Sequence, residues 1–213
     1  TYKVGLMLSL CGEDFAYNSI NLRAGEHKTP EYRARVGVPH VPALELDDGT
    51  TISESVAICR YLEETNPEPP LFGTTAVEKA LVDQWIRRVE FAVMTPVGMY
   101  WRHAHPRTAA LLTQFKDFGE SNAETYKGAQ KYLDRELEGH QFVVGDSFTM
   151  ADCAGAVHLQ LVGSATKIIY GRDYLADLPV RDYLKRLGEM PNLQKVNADR
   201  KTNTELMMAK VKA

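Results

Sequence analysis

The sequence predicts an α/β domain followed by an all-helical bundle, and two observations predict it. Over the first 65 residues the apolar pattern runs helix, strand, helix, hairpin, helix. After the proline-rich stretch NPEPPLFG (66–73), apolar residues recur at helical spacing and no convincing strand pair returns. The expected division is therefore 1–65 and 75–213, joined by a linker at 66–74.

Each element follows from local chemistry. YKVGLMLSLCGEDF sets Val4, Met7, Leu8 and Cys11 on one helical face, with Gly12 as the stop. FAYNSINL (15–22) reads as a strand, and TPEYRARVG as a short helix begun by Thr29-Pro30 and ended by Gly37. Pro42 opens ALEL, Asp48-Gly49 turns the chain, and TTIS returns as the second arm of a hairpin. A helix runs from Ser53 to about Glu64. A helix at the start of an α/β domain needs a sheet to cover, so the domain's first strand is expected before Thr1.

In the second half, Val77, Leu81, Trp85, Val89 and Ala92 keep helical spacing up to a kink or break at Thr95-Pro96. A long helix is predicted over 107–138. GDSFTMADCAGAVHLQLV starts another, with Thr149 and Asp152 in a capping-box pattern that belongs to folding. Shorter helices are predicted near 178–188 and 191–200.

Composition narrows the function. A net charge of -3 leaves no basic footprint for nucleic acid. No apolar run is long enough to span a bilayer, and no signal-peptide pattern opens the sequence. Cys11, Cys59 and Cys153 are odd in number and far apart, which matches no metal-ligand spacing and suits a reducing, cytoplasmic setting. All three read as buried, apolar thiols.

The chemistry-bearing stretch is GVPHVPALELDDGTTISESVAICRYLEE, residues 37–64. With Ser53 as N-cap, Glu54 and Ser55 fall in the first helical turn, where unpartnered amides attract a carboxylate and Glu54 offers negative charge to an ammonium. A γ-glutamyl group carries both on one carbon. By themselves, ordinary helix capping and a trans proline opening a strand also account for these residues.

AGEHKTPEY, VPHVPALELDDGTTISESVAICRYLEE and VVGDSFTMADC together resemble the glutathione transferase family, in order and over essentially the whole chain. The resemblance implies a thioredoxin-like N-terminal domain, lacking its first strand in this sequence, and an all-α C-terminal domain. It implies that Val41-Pro42 is cis, a state that costs an X-Pro bond only about 0.5–1 kcal/mol. The Val41 backbone would then pair like a strand with the cysteinyl unit of glutathione. Glu54 and Ser55 would take its γ-glutamyl end. His27 and Lys28 would reach its glycyl carboxylate, and His40 would contact it from just before Val41. The chain departs from the family in carrying Val36-Gly37 where Asn-Pro is usual.

The family's catalytic serine, tyrosine or cysteine would fall about two residues before Thr1, or at Thr1 in a few classes. Tyr2 is a poorer candidate, and Cys11 is read as core. The second-substrate pocket is expected beside the helix around Pro96, lined by Met94, Tyr100, Trp101 and His103, although an aromatic cluster is also ordinary packing. The implied activity is detoxifying conjugation of the glutathione thiolate to a hydrophobic electrophile, with peroxide reduction, thiol exchange, isomerisation or dehalogenation on the same scaffold. The alternative is a non-catalytic binding or assembly module. A homodimer with glutathione as co-substrate is expected, with no metal and no membrane or nucleic-acid partner.

Overall fold

The computed structural model of the protein describes residues 2–12, 15–22, 24–155, 169 and 179–212. The chain divides into two compact units. One comprises 1–70 with 189–213, the other 71–188. The expected limits divide the chain by type of secondary structure; these units divide it by packing.

In the first unit, helix α1 (Tyr2–Cys11) buries Val4, Leu6, Met7 and Leu8. Cys11, expected in the core, is only half-buried, because it ends the helix and Gly12 turns away at φ 70°. Cys59 and Cys153 are buried as expected. Helix α1 lies against α3 (Ser55–Thr65) and α9 (Pro191–Lys212), and the Ser9 hydroxyl donates to Asn192 Oδ1 at 3.1 Å. The predicted α9 ended near residue 200, well short of this.

The strand expected at 15–22 does not form. A strand needs a neighbouring ladder for its N–H and C=O groups, and among the described residues none lies beside this stretch. Phe15, Tyr17 and Leu22 are about half exposed.

Helix α2 (Pro30–Val36) forms as read. Thr29 caps it by accepting from the Tyr32 N–H at 3.2 Å, and Gly37 ends it at φ 83°. The hairpin also forms: β1 (Ala43–Glu45) pairs antiparallel with β2 (Thr51–Ser53) in the register Ala43↔Ser53, Leu44↔Ile52, Glu45↔Thr51. Its turn is closed by Leu46 N–H to Thr50 O at 2.9 Å, with Gly49 at φ 85° and Asp48 Oδ1 accepting from Thr50 N–H at 2.8 Å.

The second unit opens on a capping box that sequence reading passed over. Thr75 accepts from Glu78 N–H at 3.2 Å, and the Glu78 carboxylate accepts from the N–H groups of Thr74 and Thr75. The Thr75 N–H first, then the Thr74 hydroxyl and N–H, hold the Glu78 carboxyl down at about 2. Helix α4 (Ala76–Arg88) buries Val82, Trp85 and Ile86, whereas Val77 and Leu81, predicted on its packed face, are exposed.

Pro96 does not break the helix. Lacking an N–H, it cannot bond the carbonyl four residues back, and the chain widens into a π-wound turn at Val89–Met94 before resuming as α5 (Thr95–His103). The Thr95 hydroxyl and N–H both return to Glu90 O.

The helix predicted from 107 starts at 116. Pro106–Thr108 form a short 3-10 turn, in which the Thr108 hydroxyl donates to Trp101 O at 2.6 Å and Gln114 Nε2 donates to His105 O at 2.9 Å. These bonds divert the backbone until α6 (Lys116–Leu137) begins. Helices α5 and α6 enclose a core of Val93, Val97, Tyr100, Ala123 and Tyr126. They approach so closely at Gly119 that a Cβ there would lie 2.6 Å from Ala104 Cβ and 2.8 Å from its nitrogen.

Helix α7 is described over 150–155; the part predicted for 156–162 lies outside the described residues. At its start only half of the predicted box forms. Asp152 accepts from the Thr149 N–H at 2.8 Å, but the Thr149 hydroxyl donates to the same carboxylate instead of capping the helix. Asp152 also accepts from Val143 N–H and from the Tyr183 hydroxyl of α8 (Pro179–Glu189), both at 3.0 Å.

Candidate functional site

The register of the hairpin builds the site. Because Ala43 pairs with Ser53, the residues one step outside that pair, Pro42 and Glu54, flank the same end of the ladder. Val41-Pro42 leads into β1 through a cis peptide bond. Glu54-Ser55 leads from β2 into α3.

Ser53 is not the N-cap of α3 as expected, since its backbone is engaged in the ladder. The chain turns instead at Glu54, which has φ 69° and ψ 116°, a conformation rare for a side chain with a Cβ. Glu54 O accepts the first helical bond from Ile58 N–H at 3.0 Å. Ser55 is thereby the first helical residue and half-buried, and Glu54 is exposed, without a side-chain capping bond. The amides of the first turn of α3 have no partner further back along the helix, so this end favours negative charge.

On the other side, Val41 and Pro42 are half-buried and the His40 side chain is exposed. The Tyr32 hydroxyl of α2 donates to His40 O at 2.6 Å. Burial raises the Tyr32 phenol above its ordinary value, with Arg35 partly opposing, so the hydroxyl keeps its proton. Tyr32 carries no site role in the sequence reading, because the eight-residue separation from its acceptor leaves no local signal.

His27 and Lys28 lie in a 3-10 turn, Glu26–Lys28, entered through Gly25 at φ 78°. Lys28 is exposed. His27 is half-buried with its Nδ1 enclosed and making no hydrogen bond. The turn sits just ahead of α2, with Glu26 Oε2 accepting from Asn21 N–H at 2.6 Å.

The four residues read as a second-substrate lining all lie in the second unit. Met94 closes the π turn, half-buried. Tyr100 is buried in the α5–α6 core, and Trp101 packs against that core. His103 sits between Phe115 and Phe118, its ring centroid 5.5 and 5.4 Å from theirs. Phe115 and Phe118 are largely exposed.

His105 was missed. Its ring is 1% exposed and stacks on Trp101 at 4.0 Å between centroids. Nδ1 accepts from Arg107 N–H at 3.1 Å, which leaves the proton on Nε2, and that atom is buried without a hydrogen-bond partner. Burial first, then Arg107, pushes the imidazole below its ordinary value, so it stays neutral.

Thr1 lies outside the described residues. Tyr2 opens α1 with its hydroxyl oxygen buried. The Cys59 thiol is pushed up to about 12, chiefly by burial, and is no nucleophile. No helix among the described residues is long and apolar enough to cross a membrane.

The family model described as "Glutathione S-transferase, N-terminal domain" matches residues 1–65. Glutathione S-transferase 2 of Saccharomyces cerevisiae is 34% identical over 179 residues, covering 83% of this chain and 75% of that protein. The crystal structure of Gtt2 from Saccharomyces cerevisiae superposes with a TM-score of 0.76 at 31% identity, covering 92% of this chain and 94% of its own. Elongation factor 1-gamma 1 of Oryza sativa subsp. japonica is 29% identical over 188 residues, 88% of this chain but 43% of that protein.

Proposed function

The chain belongs to the glutathione S-transferase family, and we propose that it binds glutathione at the hairpin end and conjugates its thiolate to a hydrophobic electrophile. The observation that carries this reading is the pairing of Ala43 with Ser53, which sets Val41-Pro42 and Glu54-Ser55 side by side. A tripeptide has both needs met there. Its cysteinyl backbone can pair with the peptide groups of Val41, which make no backbone–backbone hydrogen bond among the described residues, in strand fashion. Its γ-glutamyl carboxylate can sit on the α3 amides and the Ser55 hydroxyl, with Glu54 facing the ammonium. In this proposal Lys28 supplies a point charge to the glycyl carboxylate, and His27 and His40 supply polar contacts. Peroxide reduction and thiol exchange use the same bound thiolate. No described side chain is assigned the role of steadying it.

The second substrate is proposed to meet apolar side chains along α5, offered by Met94, Trp101 and His103 with Tyr100 behind them. The proposed setting is cytoplasmic detoxification by a homodimer; sedimentation as a monomer at micromolar concentration would overturn the dimer.

The test is calorimetric titration with glutathione, followed by a conjugation assay with a chloronitrobenzene. Saturable binding at one site per chain, lost on replacing Ser55 and Glu54 together, supports the site. Absence of binding rejects it. The likeness to an elongation factor favours a second reading, a binding or assembly module on the same scaffold. Glutathione bound without turnover of any electrophile would support that reading over the first.

A further inference from the structure

The loop from Gly37 to Pro42 carries the peptide groups that the proposed site offers to a tripeptide, and it has few ties. Among the described residues, the backbone between Val38 and Pro42 makes no backbone–backbone hydrogen bond. Its one hydrogen-bonding partner there is the Tyr32 hydroxyl, which donates to His40 O at 2.6 Å.

We infer that Tyr32 is a positioning residue for glutathione: its phenol anchors the carbonyl immediately before Val41 and so fixes where the Val41 peptide groups point. The inference rests on the functional reading above.

Tyr32 is suited to the task because it is itself buried and tied at its backbone. It is the third residue of α2, its N–H is held by the Thr29 cap, and its side chain is 7% exposed. The hydroxyl reaches the loop from a rigid ring with few internal rotations to freeze. A loop left to choose among conformations would present the Val41 groups in register only part of the time. Apparent affinity would then fall by the fraction of time the competent conformer is populated.

The experiment compares glutathione affinity by calorimetry in the full chain and two variants. Tyr32→Phe removes one oxygen and keeps the ring. Ala34→Gly, at an exposed position of the same helix, weakens α2 without touching the phenol. The expected result is a roughly three- to ten-fold weaker glutathione affinity for Tyr32→Phe, the size of one lost hydrogen bond. Ala34→Gly should stay within about twofold of the parent, even where its melting temperature falls as far. Unchanged affinity in Tyr32→Phe, with a parent that binds, overturns the positioning role and leaves the site reading standing. Equal weakening in both variants overturns it too, by making the effect one of helix stability. A parent that binds no glutathione removes both the reading and the inference.

Discussion

The Tyr183 hydroxyl donates to the Asp152 carboxylate at 3.0 Å across 31 positions of sequence, and both groups are buried. Asp152 also takes N–H groups from Val143 and Thr149 and the Thr149 hydroxyl. One carboxylate thereby joins the 143 turn, the start of α7 and helix α8. Burial raises its proton affinity while these four donors oppose the shift. Asp152→Ala would strand all four donors and is expected to destabilise the chain by about 3–5 kcal/mol. Tyr183→Phe removes one bond and should cost about 1–2 kcal/mol. Urea unfolding of both variants checks the ranking; equal losses would show that the carboxylate is not the hub.

At Glu54, stability and binding are expected to move in opposite directions. A glycine tolerates φ 69° where glutamate is strained. Glu54→Gly should therefore raise the unfolding free energy by up to about 1 kcal/mol while weakening glutathione binding. A variant less stable than the parent would mean that the turn is held by contacts of the side chain itself.

His105 gives a pH dependence whose sign follows from its burial. Its folded-state proton affinity is depressed, so the unfolded chain takes up a proton more readily. The stabilisation is fully present above the unfolded value near ~6.5 and is lost as pH falls toward the lower folded one. Melting temperatures between pH 7.5 and 5.5 should fall less steeply for His105→Gln than for the parent. A steeper fall in the variant would contradict the neutral imidazole.

Gly119→Ala tests the α5–α6 approach. The new Cβ would meet Ala104 backbone as well as its side chain, so the helices must part, at a cost of about 1–3 kcal/mol. Gly128→Ala, on the same helix with nothing near its Cβ, should leave stability unchanged or raise it.

Thiol labelling should separate the cysteines. Cys11 is half-buried, whereas Cys59 and Cys153 are buried and the Cys59 thiol sits at about 12. Under native conditions, Ellman's reagent is expected to modify Cys11 first, with the other two reacting only as the chain unfolds.

What could be read from sequence was what local chemistry dictates. Thr29-Pro30 and Gly37 delimited α2, and Asp48-Gly49 set the hairpin, because caps and tight turns depend on a few adjacent residues. The cis Val41-Pro42 bond followed from the resemblance and not from local chemistry, which allowed a trans proline equally well. Non-local matters stayed hidden. The stretch 15–22 reads as a strand, but strand formation depends on a partner. The start of α6 was misjudged because His105, Thr108 and Gln114 satisfy one another across a loop. Pro96 announced a disturbance, but not that a π turn would absorb it. Ser53 has the chemistry of a cap, but its pairing with Ala43 in the ladder leaves the cap position to Glu54.

Helix α9 belongs with α1, yet the whole second unit lies between them in the chain. During synthesis α1 therefore emerges long before the helix that covers it, whereas the second unit is continuous in sequence. A chain ending at residue 188 would keep the α4, α5 and α6 packing and leave exposed the apolar α1 surface that α9 covers.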